Sequence, residues 1–138
     1  MTLELIPLCT VDIVLGDFIV VGDGPSGTRM IAEVKEATVN GDRLRGTHKG
    51  AASADWVTLV GTVGTLDVRA TFETDDGAVV LAQYRGRTDF SLGGAAPIYV
   101  APLFETGDER YAWLNLIQAV GKGTLDGLNL HYDWYEVR

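Results

Sequence analysis

Thr65-Leu66-Asp67-Val68-Arg69-Ala70-Thr71-Phe72-Glu73-Thr74-Asp75-Asp76-Gly77-Ala78-Val79-Val80-Leu81-Ala82-Gln83-Tyr84-Arg85-Gly86 alternates apolar and polar residues on both sides of one Asp-Gly turn. Asp-Gly preceded by a further turn residue fits a three-residue hairpin loop with Gly77 in the left-handed region. That loop sets Thr74 opposite Ala78, and the register follows: Phe72 faces Val80, Ala70 faces Ala82, and Val68 faces Tyr84. A two-residue loop would shift the pairing by one and set Val68 against Arg85, mixing the faces. The longer loop therefore predicts one apolar face (Leu66, Val68, Ala70, Phe72, Val80, Ala82, Tyr84). The other face carries Asp67, Arg69, Thr71, Gln83 and Arg85.

The rest of the chain follows the same grammar. Seventeen glycines punctuate β-branched and aromatic runs, and helical periodicity is scarce. Strands are expected near 3–15, 29–39, 43–48, 55–60, 65–74, 78–86, 98–106, 111–121 and 128–137. Short strands between turn signals indicate an all-β sandwich or barrel. At 138 residues the chain suits one domain, 1–138.

The charge balance bears on partners. Nineteen acidic residues against 11 basic ones give a net charge of −8. No basic face for nucleic acid or anionic membrane is expected from that balance. The single cysteine, Cys9, lies in the apolar run Leu5–Val11 and is expected as a buried thiol. No Cys/His cluster predicts a metal, and no cofactor is expected. His48 and His131 are expected to face solvent. With neither a basic leader nor an apolar span of about 20 residues, a cytoplasmic location is expected.

Gly22-Asp23-Gly24-Pro25-Ser26-Gly27 spells a dinucleotide fingerprint, but no helical stripe follows and Pro25 removes an amide from the loop. A flexible loop over a barrel mouth is expected there instead.

Further along, Asp42-Arg43-Leu44-Arg45-Gly46-Thr47, Ala54-Asp55-Trp56, Tyr84-Arg85-Gly86 and Phe104-Glu105-Thr106-Gly107-Asp108-Glu109-Arg110-Tyr111-Ala112-Trp113-Leu114-Asn115 join the Asp-Asp-Gly turn in a recognisable order. With them the chain, from about Pro7 to Glu136, resembles domain-of-unknown-function family 3237, also called uncharacterised protein family 0311. The resemblance implies a single-domain antiparallel β-barrel with a central cavity, akin to allene oxide cyclase and lipocalin-like barrels. It implies small organic ligands and supplies no agreed catalytic residues. Glu109 and Leu116 depart from the family's usual proline and polar residue, which bears on the rim of the cavity.

In such a barrel the Asp67/Arg69/Arg85 face either meets water or lines the lumen, and the resemblance favours the lumen. Alternation puts Tyr99, Ala101, Leu103 and Glu105 on one side of their strand, and Tyr111, Trp113, Asn115 and Ile117 on one side of the next. If both sides face inward, the pocket combines aromatic walls with a few polar groups, as small-ligand sites do. Glu105 is then the first candidate for acid–base work and Asp67 the second, because a carboxyl enclosed by aromatics titrates nearer neutrality. Arg69 and Arg85 would hold a carboxylate or a developing enolate. Asp55, Trp56, Tyr99, Trp113 and Asn115 complete the expected ligand contacts; a turn leading into Trp56 is the other reading of Asp55.

The function expected is a barrel that takes a small aromatic or carbonyl-containing organic acid, as a cofactor-free lyase, isomerase or cyclase. A ligand carrier or sensor is the alternative. A third reading leaves the Phe72/Val80/Tyr84 face outside, for assembly or a homodimer.

Overall fold

The Asp-Gly turn closes as its residues dictate. In the computed structural model, which describes residues 1–138, Gly77 has φ 91°. The Thr74 N–H donates to the Ala78 carbonyl at 2.8 Å, and the Ala78 N–H returns to Thr74 Oγ1 at 2.8 Å. From there β5 (Val63–Thr74) and β6 (Val79–Asp89) pair in the expected register, with Phe72 against Val80, Ala70 against Ala82 and Val68 against Tyr84.

The other strands are β1 (Leu5–Gly24), β2 (Gly27–Asn40), β3 (Arg45–His48), β4 (Ala54–Val60), β7 (Ile98–Val100), β8 (Leu103–Glu105), β9 (Gln118–Asp126) and β10 (Asn129–Val137). All pair antiparallel in one sheet. The pairings run β5–β4–β2–β1–β10–β9–β7–β6 and return to β5, so the sheet closes on itself as a barrel. Where β4 stops short, β3 bridges β2 to β5; where β7 stops, β8 continues along β6. No helix is long and apolar enough to cross a membrane.

Closure decides which face is inside. Leu66, Val68, Phe72, Val80, Ala82 and Tyr84 are all buried in the core, with Val80 fully so. Asp67, Arg69, Gln83 and Arg85 stand exposed on the outer surface. The lumen-facing expectation for that charged set is therefore corrected. A small barrel fills its interior with side chains, and the apolar face carries the favourable burial, at about 25 cal/mol per Å². For the same reason Phe72, Val80 and Tyr84 are not an outer assembly face.

Two elements differ from expectation. The stretch around the glycine-rich decoy is no loose loop: Asp23 registers with Thr28 and Gly24 with Gly27, and Thr28 Oγ1 donates to Asp23 Oδ1 at 2.6 Å. Gly22 and Gly27, at φ 96° and 104°, supply the left-handed backbone that lets the strands continue to the tip. The second difference is Glu109–Leu116, a 3₁₀ helix rather than the start of a strand. Asp108 starts it by accepting the Arg110 N–H at 2.9 Å. Alternation at 111, 113, 115 and 117 concealed a spacing of three, Tyr111–Leu114–Ile117, whose middle member is fully buried.

The core is aromatic at its centre. Tyr84 packs edge-on against Tyr132 (5.9 Å between ring centroids) and Trp134 (5.4 Å), and Phe104 lies 5.7 Å from Trp134. Opposite these rings, β9 offers Gly121 and Gly123. A Cβ on Gly121 would collide with Trp134, and one on Gly123 would lie 2.5 Å from two Tyr132 ring carbons.

Candidate functional site

Inward positions on β10 run Leu130, Tyr132, Trp134, Glu136. The first three are core, and the fourth emerges at the end of the barrel where the β2–β3 connection, the β5–β6 turn and the 3₁₀ helix meet. There Glu136, 10% exposed at its side chain, accepts from Arg43 Nη2 at 2.9 Å and from Arg138 Nε and Nη2 at 3.2 Å. Arg138, then Arg43, hold its carboxyl below the ordinary range. The Arg43 guanidinium also lies 4.8 Å from the Trp113 ring centroid, a cation–π contact.

Across the opening, Arg110 donates to Asp108 and to the Asp76 carbonyl, and Tyr111 donates to Asp76 Oδ1 at 2.8 Å. Together these groups border a cavity of about 570 Å³, which Ile117 also lines. The three guanidiniums are matched in charge by Glu136, Asp76 and Asp108, and Arg43 spends one N–H on Glu136, which leaves donors free on it for a further acceptor. The arrangement suits a planar anion with an aromatic body.

Of the residues expected in the pocket, Trp113 reaches this rim. Glu105, Tyr99 and Leu103 point outward and are exposed, because their strand buries Ile98, Val100, Phe104 and Thr106 instead. Glu105 is thus not enclosed by aromatics, and Asp67, on the outer face, is not either. Trp56 is 37% exposed on the outside. Asn115 serves the backbone: its Oδ1 accepts the Thr106 N–H at 2.8 Å and its Nδ2 donates to the Thr106 carbonyl at 2.9 Å. These are the two bonds a neighbouring strand would make, and they finish the free edge of β8. Asn115→Ala is expected to lower unfolding stability by about 2 kcal/mol, measured by urea titration; an unchanged midpoint would deny the clamp.

Arg43, Arg110, Arg138, Asp76 and Glu136 were not anticipated as site residues. A carboxylate at the inward parity of Leu130–Tyr132–Trp134 was the signal available for Glu136. Cys9 is buried as expected, and burial pushes its thiol up to about 12. His131 lies outside between Asp12 (2.7 Å) and Asp133 (3.3 Å), whereas His48, expected in solvent, has Nε2 buried without a partner.

Asp55 is the expected site residue that does face inward. It registers with Ala32 and Val68, and Val68 with Tyr84, so the four share the inner surface. The β4–β5 pairing skips Trp56 and Val57; in its place Asp55 Oδ1 accepts the Asp67 N–H at 3.0 Å and Arg29 Nη1 donates to the Trp56 carbonyl at 3.1 Å. Burial raises the Asp55 carboxyl to about 6 despite that hydrogen bond, and the Asp67 charge adds to the rise. Against the reference 3.8, ionising it in the folded protein costs about 3 kcal/mol. Elsewhere in the core the Tyr132 hydroxyl and the Trp134 indole N–H are buried without hydrogen-bond partners.

The sequence matches the family described as protein of unknown function, DUF3237, over residues 3–137. The chain belongs to this family. A β-barrel-like protein from Acinetobacter baumannii AYE is 26% identical, with a TM-score of 0.91, covering 100% of this chain and 98% of its own. A conserved protein of unknown function from Rhodopseudomonas palustris is also 26% identical, with a TM-score of 0.91 over 100% and 99% of the two chains. A protein described as an enzyme, from Penicillium herquei, shares the fold at a TM-score of 0.71 and 24% identity, over 98% of this chain and 93% of that one. Comparison with curated proteins finds no match.

Proposed function

We propose that this DUF3237 barrel binds a small aromatic organic acid at the rim cavity. The observation that carries this is the Arg43 guanidinium, stacked on Trp113 and ion-paired with Glu136 beside Arg138. The ligand's ring takes the place of solvent against Trp113 and Tyr111, and its carboxylate shares Arg43 and Arg138 with Glu136. Bidentate geometry favours arginine for such recognition. The Penicillium herquei neighbour is described as an enzyme; at its level of identity it supports the fold, and turnover in this barrel is a separate question.

Calorimetric titration with phenylacetate, phenylpyruvate and the neutral phenylacetamide tests the reading. The acids are expected to bind at least tenfold more tightly than the amide, and Arg43→Gln to remove most of that difference, about 1.4 kcal/mol or more. Arg69→Gln, on the outer face, is expected to leave binding unchanged. Equal binding of acid and amide, or an undiminished Arg43→Gln protein, would exclude the rim as the carboxylate site. Incubation followed by product analysis separates a carrier from an enzyme.

A further inference from the structure

The barrel leaves one strand edge bare. β1 pairs with β10 only as far as Val14, and the Leu15 N–H closes that seam on the Leu128 carbonyl at 2.8 Å. On its other side β1 stays paired with β2 to Gly24. Residues 16–24 therefore project past the wall, at the end away from the rim cavity, with a strand on one side and none on the other. Such an edge presents backbone N–H and C=O groups in line for a further strand. Its side chains are apolar on both faces: Phe18, Ile19, Val20 and Val21 are consecutive and all exposed, Val20 at 67% and Val21 at 65%. Lysine or proline commonly blunts a free edge, and residues 16–24 contain neither. The bulges after Leu15 and Val20 bracket the run but leave Phe18, Ile19 and Val20 in regular register with Ala32, Ile31 and Met30.

Lipid and a strand are the two things that cover a run of this kind. Hydrocarbon leaves backbone groups unsatisfied, and Asp17 and Asp23 flank the run in a chain of net charge −8, which opposes an anionic membrane. A strand answers both the edge and the side chains, and this edge is complementary to itself. Two copies related by a two-fold axis normal to the sheet meet antiparallel. With the axis on Val20, Asp17 would face Asp23, like charge against like. With the axis on Ile19, Phe18 faces Val20 and Asp17 faces Val21. That pairing runs from Gly16 to Gly22 and ends where β10 takes over at Leu15. We propose that the chain forms a two-fold dimer through these β1 edges, with Ile19 opposite its own copy and the two rim cavities at the far ends of the pair.

Sedimentation of the native protein at about 50 µM is expected to show a dimer. Val20→Lys, which sets two ammonium groups in the seam, is expected to weaken it roughly a hundredfold while keeping the native circular dichroism and a cooperative melt. Cysteine variants read the register without that substitution. Under oxidised glutathione, Ile19→Cys is expected to link two chains, since opposed Cα atoms lie about 4.5–5.5 Å apart. Val21→Cys is expected to stay single, its copy lying about 14 Å along the strand. Cys9 is buried and supplies no link of its own. A native monomer at that concentration would overturn the proposal; if that monomer bound phosphatidylcholine vesicles, the run would belong to lipid. A dimer that Val20→Lys leaves intact would overturn it too, as would one in which Ile19→Cys links no better than Val21→Cys.

Discussion

Gly123→Ala is expected to lose about 3 kcal/mol of stability, on the order of 10 °C in melting temperature for a chain of this size. The reason is distance rather than backbone freedom: a Cβ at 123 would sit 2.5 Å from both Cδ1 and Cε1 of Tyr132. Real side-chain contacts are far longer, so something must move. Tyr132 cannot move cheaply, being fully buried between Tyr84 and Trp134. Backbone displacement would strain β9, whose Gly123 registers with both Tyr132 and Ile98. A double-mutant cycle isolates the contact. Tyr132→Leu costs stability by itself, through the lost ring, yet in that background the alanine should cost about 1 kcal/mol or less. Strict additivity in thermal and urea unfolding would show that the wall does not rest on glycine.

That contact illustrates what was legible in the sequence. The hairpin register followed from one turn, because Asp75-Asp76-Gly77 admits one loop length that keeps the faces unmixed. Which face closure puts inside was not legible from alternation, since alternation defines two faces without ranking them. The charged Asp67/Arg69/Arg85 side gained weight from a resemblance to ligand-holding barrels, whereas burial of Phe72 and Val80 decides it physically. Tyr111–Ile117 satisfies both a period of two and a period of three, and only the capping contact of Asp108 with Arg110 separates them. The rim site was harder still. Arg43 and Glu136 lie 93 residues apart and meet only once the barrel has closed. No local spacing announces such a pair. Trp113 was recognisable as a pocket aromatic, but its partner, Arg43, stood at the start of an expected strand, 43–48, whereas it lies in the connection ahead of β3.

Asp55→Asn should make the protein more stable above pH 6, by up to about 3 kcal/mol, and no more stable below about pH 4. The native carboxyl titrates at about 6, against 3.8 for the unperturbed group. Because its folded-state value is raised, Asp55 favours the folded state fully only below 3.8, and that contribution is lost as pH rises through about 6. Asparagine has no such loss. It accepts the Asp67 N–H through its amide oxygen as the carboxylate does. Other carboxyls bias the comparison little. Glu136, Asp76 and Asp108 are all held below the ordinary range by their partners, so they destabilise both proteins alike as the pH falls. Urea unfolding of the two proteins between pH 4 and 8 therefore isolates one titration, and a stability difference that is flat across this range would mean that Asp55 is not held in a desolvating wall. A gain confined to neutral pH would identify a group that the fold tolerates at a cost.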